Sequence, residues 1–279
     1  MKQKRIYTIL NYLLLIAGGI VMVYPLVWLF FASFKGNSEI FSTAKLLPDE
    51  FSLDGYINGW KGSGQYTFGT YYINTFKMVI PMVLFMVFSC ALVAFGFARF
   101  RFPLKKPLFL LMISTLMLPN SVMLISRYIM FRQMNWLDTY LPFTVPAIFA
   151  GSPFFIFMLI QFFRGLPKEL DESAYMDGCG SLRLFVSIFM PLSKPALFSA
   201  ALFQLMWAWN DFFQPLIYIS SVKKYTLALG LRMAIDSNSG VAWNNVLAMA
   251  FVSVFPLVLV FFFAQKYFVE GIATTGLKG

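Results

Sequence analysis

The charged residues of this chain fall in short clusters separated by long silent runs. No Asp, Glu, Lys or Arg occurs from Ile6 to Phe34, Met78 to Ala98, Pro107 to Ser126, Thr139 to Phe163 or Ser237 to Gln265, and Pro195 to Val222 holds one, Asp211. Each run meets the roughly 20 residues a helix needs to cross the hydrocarbon core of a bilayer. In lipid the backbone must satisfy its own hydrogen bonds, and the polar–apolar alternation of a membrane barrel strand is missing, so the runs predict helices. The expectation is an all-α membrane protein of six spans, at about residues 6–34, 76–98, 107–126, 141–163, 196–220 and 244–266, within one domain over 1–279. The basic opening MKQKR looks like a leader, but the apolar run behind it is too long for a signal core, so it reads as a retained first helix.

Lys and Arg set the orientation. Lys2, Lys4 and Arg5 precede the first run; Arg99, Arg101, Lys105 and Lys106 follow the second; Arg164, Lys168, Arg183 and Lys194 lie between the fourth and fifth. With six spans these segments and both termini share one side, and the basic excess makes it the cytoplasm. The opposite segments nearly balance, with Lys35, Lys45 and Lys61 against Glu39, Asp49, Glu50 and Asp54.

Composition agrees with this picture: 59% of residues are apolar and 12% charged. A soluble domain of this size needs more charge to cover its surface. The formal charge of +10 is dispersed among membrane loops, which argues against nucleic acid as a partner. Cys90 falls inside a span and Cys179 in a cytoplasmic segment, so no disulfide is expected. With no His and no Cys cluster, neither a transition-metal site nor a Ser–His or Cys–His catalytic pair can be built. No GxxxxGK phosphate loop is present, so any energy from nucleotide must come through another chain.

One segment departs from the apolar pattern. From Leu166 to Pro195 the chain reads LPKELDESAYMDGCGSLRLFVSIFMPLSKP. Pro167 suits a first helical turn, and Glu169, Asp171 and Glu172 favour the positive end of a helix dipole. Leu170 and Ala174 share a face, and Gly178 can take the left-handed cap that ends the helix. A second helix is expected near Ser181, with Leu182, Phe185, Val186 and Phe189 as its apolar stripe, before Pro191 and Pro195 interrupt it. From pattern alone this is an interfacial helix pair on lipid headgroups or a docking knob for a cytoplasmic protein.

The residues narrow the choice. Glu172-Ser173-Ala174, Asp177, Gly178 and Ile188-Phe189-Met190-Pro191 resemble, with spacing intact, the EAA motif of ABC-importer permeases; Ser173, Cys179 and Met190 depart modestly from it. ALVAFGFARFRFPLKK, WAWNDFFQPLIYI and FAQKYFVEGIATTGLKG are similar to parts of the carbohydrate-type branch, in particular the shorter sugar permease, like the maltose transporter's G subunit. The resemblance implies a type I importer permease in a bacterial or archaeal cytoplasmic membrane. It implies a second homologous permease, two ATPase subunits that hold the ATP and Mg, and an extracytoplasmic solute-binding protein. The chain itself would hold no cofactor and perform no chemistry.

It also assigns roles. Segment 167–190 becomes the coupling helix and its support, with Glu169, Glu172, Ser173, Ala174, Asp177, Gly178, Ile188 and Pro191 meeting the ATPase; Ser173 and Ala174 would permit the close approach. The tail 268–279, with Thr274, Thr275, Gly276, Leu277 and Lys278, would reach the ATPases, although its composition also fits a frayed end. Asp236, Ser237, Asn238, Ser239 and Gly240 would touch the binding protein, or form a plain connector. Asn210 and Asp211, with Gln204 and more weakly Gln214, are candidates to line the solute pathway; a structural pair, or hydration near the outer face, also fits. No Arg or Lys stands out in the pathway for a phosphate-bearing solute such as a glycerol phosphate. A secondary transporter would need internal repeats and more midplane charge, and a channel a filter.

Overall fold

A computed structural model describes residues 2–42, 45–62, 65–236 and 240–276, and the regular structure among them is helical throughout. In chain order come α1 (Lys2–Ala32), α2 (Glu39–Ser42), α3 (Asp54–Lys61), α4 (Phe68–Arg99), α5 (Lys105–Thr115), α6 (Asn120–Gln133), α7 (Leu141–Ile148) and α8 (Pro153–Gly165). Then follow α9 (Glu169–Met176), α10 (Ser181–Leu184), a π-helical turn (Phe185–Phe189), α11 (Met190–Leu192), α12 (Lys194–Asn210), α13 (Phe213–Tyr218), α14 (Leu227–Ile235) and α15 (Trp243–Gly276). Among the described residues four stretches are long and apolar enough to cross a bilayer: Tyr7–Ala32, Phe68–Arg99, Leu141–Gly165 and Trp243–Gln265. A fifth arises if Ser181–Leu192 and Lys194–Asn210, bent by 78°, count as one.

The chain divides into two compact units, Met1–Thr70 with Gly230–Phe255, and Tyr71–Leu229 with Pro256–Gly279. In the first, α3 turns its buried Gly55 and Gly59 toward Asn244, Asn245 and Met249 of α15. Ser33 and Tyr56 share a hydrogen bond of 2.6 Å, and the Trp243 N–H donates to Asn37 Oδ1 at 2.7 Å. Most of α1 stays bare, with Leu14, Val21 and Met22 among its exposed side chains.

The core of the second unit lies where α4, α8 and α12 meet the π-helical turn. Cys90, Ala94 and Phe95 pack with Phe155, Leu159, Phe163, Phe185, Phe189 and Ala200, all buried. Small residues on α4 let the helices approach closely, as helix association in lipid favours.

Proline breaks the expected spans. The run 107–126 is not one helix: α5 stops at Thr115 and α6 starts at Asn120, with Pro119 extended at ψ 133 between them. Pro119 brings no N–H and drives Leu118 out of the helical region, and a span counted only by its lack of charge does not register this. Between α7 and α8 a similar break precedes Pro153. Ala150 takes φ +54, and the Gly151 N–H donates to Pro146 O at 3.0 Å; a Cβ on Gly151 would lie 2.7 Å from that oxygen. The freed carbonyls find side-chain donors on α4: Ser89 Oγ donates to Ala147 O at 2.6 Å and Cys90 Sγ reaches Ser152 O at 3.7 Å. That is how a membrane protein tolerates an interrupted helix. The expected fifth span, 196–220, likewise ends early, since α12 stops at Asn210 and Asp211 is extended.

Candidate functional site

Two places in the second unit hold the residues singled out from the sequence: the segment around α9 and a cavity beside α12. The first begins with a charged helix start. Glu169, Asp171 and Glu172 occupy the first turn of α9, where the helix dipole favours them. At its other end Gly178 takes φ +75, with its N–H on Tyr175 O at 3.0 Å and the Cys179 N–H on Ala174 O at 2.9 Å. This is the left-handed glycine stop expected from the sequence.

The faces of α9 divide sharply. Glu169, Glu172, Ser173, Asp177 and Gly178 are exposed, as is Pro191; Ile188 is half-buried. Ala174 is not with them. It is 5% exposed and belongs to the unit's own buried core cluster. Met176 points outward at 89% exposure, beside exposed Tyr175, an apolar tip the sequence reading overlooked. The expected stripe on the second helix is only partly kept: Phe185 and Phe189 are buried, while Leu182 and Val186 are exposed. The π-helical turn over Phe185–Phe189 widens the helix and shifts which residues face inward.

Arg99, at the end of α4, binds this segment to the membrane helices. Its Nε lies 3.2 Å from Asp171 Oδ2, and its Nη2 donates to Leu166 O at 2.9 Å and Pro167 O at 3.4 Å. The guanidinium also sits 4.7 Å from the centre of the Phe189 ring. The Nε contact is ionic rather than an aligned hydrogen bond, and Asp171 Oδ1 is buried with no hydrogen-bond partner among the described residues. Burial pushes the Asp171 carboxyl up, more than Arg99 draws it down. The sequence marked Arg99 only as an orientation charge and Asp171 only as a helix-start acid.

The cavity, of about 670 Å³, is walled by α4, α6, α7 and α12. Gln204, Asn210, Asp211 and Gln214, which the sequence singled out, all line it, together with Trp207 and Arg127. Gln204 is buried; Asn210 Nδ2 donates to Met206 O at 2.8 Å; Asp211 Oδ1 accepts the Gln214 N–H at 3.2 Å. Asp211 therefore sits at a helix end rather than within a helix, where backbone N–H groups are free to meet it. Arg127 is a basic group in this cavity that the sequence did not single out. It follows directly on the charge-free run, and the helix that brings it to the cavity, α6, begins only after the Pro119 break.

The other expected sites are described in part. Asp236 pairs with Arg232, Oδ2 to Nε at 2.7 Å, and Gly240 takes φ +90; Ser237, Asn238 and Ser239 lie outside the described residues. The backbone of α15 stays helical through Thr274, Thr275 and Gly276, and Leu277 and Lys278 lie outside the described residues.

Comparison with known proteins decides what this arrangement belongs to. Residues 90–274 match the family described as binding-protein-dependent transport system inner membrane component. The chain belongs to that family. It is 30% identical to the arabinooligosaccharides transport system permease protein AraQ of Halalkalibacterium halodurans, over 99% of this chain and 100% of that one. It is 28% identical to the sn-glycerol-3-phosphate transport system permease protein UgpE of Brucella abortus, over 98% of this chain and 99% of that one. Among solved structures it shares its fold, at TM-score 0.84 and 21% identity, with a chain of a bacterial ABC transporter involved in the import of the acidic polysaccharide alginate; the match covers 96% of this chain and 98% of that one. As a permease subunit of a binding-protein-dependent ABC importer, it is a transport component rather than an enzyme. It works with ATPase and solute-binding partners at the inner membrane.

Proposed function

We propose that this permease carries a sugar or oligosaccharide across the cytoplasmic membrane. The observation that carries the reading is the cavity wall. Gln204, Asn210, Asp211 and Gln214 offer amide and carboxylate groups that hydrogen-bond hydroxyls, and the half-exposed Trp207 offers an aromatic face. The kinship with AraQ supports a sugar.

In this reading the chain crosses six times, through α1, α4, the broken pair α5–α6, the pair α7–α8, α12 and α15, with both termini cytoplasmic. Its basic segments at Arg99–Lys106 and Arg164–Lys194 support that orientation. A second homologous permease completes the pathway. Two ATPase subunits, which hold the ATP and Mg, sit below, and a solute-binding protein docks above through the loop at Asp236–Gly240. Segment α9 is the EAA coupling helix, seated in a cleft of one ATPase by its exposed Glu169, Glu172, Ser173, Asp177 and Gly178. Ile188 and Pro191 support it from the next helix, and the tail at Thr274–Lys278 reaches the ATPase pair. When ATP closes the ATPases, α9 is displaced and the permeases rock between inward- and outward-facing states.

The test is uptake by proteoliposomes holding this chain, its sister permease, the ATPases and the binding protein. Labelled oligosaccharide should accumulate only with ATP and binding protein together. Uptake by this chain alone, or uptake indifferent to ATP, would overturn the proposal. Arg127 favours a second reading within the same machinery, an anionic solute such as a glycerol phosphate, in line with the kinship to UgpE.

A further inference from the structure

Arg99, whose side chain is 5% exposed, meets the link before α9, α9 itself and the π-helical turn. It ends α4, donates to the carbonyls of Leu166 and Pro167, 67 and 68 residues further along, pairs with Asp171 of α9, and lies over the Phe189 ring of the π-helical turn. Around it the packing is aromatic. Phe189 stands 4.8 Å from Phe95 and 5.5 Å from Phe163, centre to centre. Ala174 of α9 is buried in the same cluster. A guanidinium with Nη2 on two carbonyls, Nε in an ion pair and one face on a ring has little freedom.

We propose that Arg99 is a positioning residue for energy coupling: it locks α9 to α4, α8 and the entry to α12, so that a push on α9 moves all of them as one body. This rests on α9 being the ATPase-facing helix. The physical case is one of stiffness. α9 has two turns, and it is joined to the helices on either side by short non-helical links at Leu166–Lys168 and Asp177–Gly180. Displacement of so short a helix is absorbed in its links unless something across them carries the load. Ala174 supplies apolar packing, which slides; Arg99 supplies directional bonds to the link at Leu166–Pro167, which do not, and an ion pair to Asp171 in the first turn of α9. Without Arg99 the half-buried Asp171 carboxylate would also lose its ion-pair partner and keep only the weaker pull of Lys168, an unfavourable state for a buried charge.

The experiment uses the full importer in proteoliposomes and reads solute moved per ATP hydrolysed. Arg99→Gln should lower that ratio by about tenfold, because hydrolysis continues while the stroke is lost. Arg99→Lys, which keeps the charge without the fork, should fall between Arg99→Gln and wild type. Arg99→Gln with Asp171→Asn should be no worse than Arg99→Gln alone. If Arg99→Gln lowers transport and hydrolysis in proportion, its role is structural only and the proposal fails. Gly178→Pro separates the two ideas: a ratio changed by Gly178→Pro but not by Arg99→Gln overturns the lock alone, and a ratio changed by neither overturns α9 as the coupling helix. Should Arg99→Gln not assemble, spin labels at Arg101→Cys and Lys168→Cys, with Cys179→Ala, read the lock in otherwise native protein. Their separation should stay constant between nucleotide-free and ATP-bound complexes, and a shift of several ångströms between the states overturns the proposal.

Discussion

Ser221 holds the Asp138 carboxylate twice, 83 residues away in the chain: its N–H donates to Oδ1 at 2.8 Å and its hydroxyl to Oδ2 at 2.6 Å. Lys224 Nζ adds an ion pair at 2.9 Å and the Ser220 N–H a bond at 3.1 Å. The clasp ties the α6–α7 link to the α13–α14 link beside the cavity. Asp138 also takes φ +56, a left-handed position that Asn tolerates better than Ala. Asp138→Asn should therefore lose the charge-assisted part of the clasp, about 2 kcal/mol, and Asp138→Ala about 1 kcal/mol more, because it also loses the hydrogen bonds an amide oxygen can still accept. Thermal unfolding in detergent checks the order wild type, Asn, Ala; equal midpoints for all three would contradict it.

The same carboxylate sets a pH dependence. Burial would raise its pKa, but the donors of Ser221, Lys224 and Ser220 outweigh burial and hold it well below the usual carboxylate range. A depressed folded pKa means that the clasp's stabilisation is complete above the unfolded value, about 3.9, and is lost as pH falls from there through the folded value. The gap in melting midpoint between wild type and Asp138→Asn should be flat from pH 8 to about 5 and narrow below about 4. A gap that already narrows between pH 7 and 6 would assign it to another group.

At Gly178 the backbone and the space around it make different demands. A Cβ there would meet nothing within 4 Å, while φ +75 disfavours any other residue. Gly178→Ala should therefore cost only the left-handed penalty, about 1–2 kcal/mol, and leave α9 usable. Gly178→Pro cannot adopt that φ and loses the N–H bond to Tyr175, so α9 should lose its stop. Binding-protein stimulation of the ATPase should survive the first substitution and be lost in the second, with membrane insertion intact in both.

How legible this was in the sequence varies with the kind of signal. Runs without charge located α1, α4, α7–α8 and α15, because hydropathy is a local sum. They missed the break at Pro119 and the early end of α12 at Asn210, since such runs report solvent and not backbone continuity. Pro119 itself was a readable warning. The Gly178 stop was legible because one residue type fits its φ. Arg99 on Asp171 and Asp138 under Ser221 were not, because side chains that meet from distant segments leave no periodicity behind them. The resemblance places Ala174 at an ATPase contact, whereas its pairing with Leu170 on one helical face fits the burial that the structure shows.

Met176 at α9's tip is 89% exposed, and an unbranched thioether there suits an adaptable apolar contact. If that tip enters an ATPase cleft, Met176→Asp should weaken association of the ATPase with the permease pair by about tenfold or more. The fold should not change, since the residue is 89% exposed. Co-purification titrated with the ATPase measures this; undiminished association would place Met176 outside the contact.

Arg127 discriminates between the two solute classes. It faces the cavity with Asp211, Gln204 and Trp207, and its guanidinium can hold a phosphate or carboxylate by two parallel bonds. A neutral sugar uses one guanidinium donor at a time, and neighbouring amides can replace it. Arg127→Gln should therefore reduce uptake of a neutral oligosaccharide by only a few-fold, but reduce that of an anionic solute by about tenfold or more, the size expected for a lost charge-assisted pair. Measuring both solutes in proteoliposomes with the matching binding protein separates the classes. Asp211→Asn gives the opposite control: removing a negative charge from the same wall should help an anion and weaken a sugar that uses the carboxylate as acceptor. An unchanged ratio of the two uptake rates in both variants would mean that neither side chain faces the moving solute.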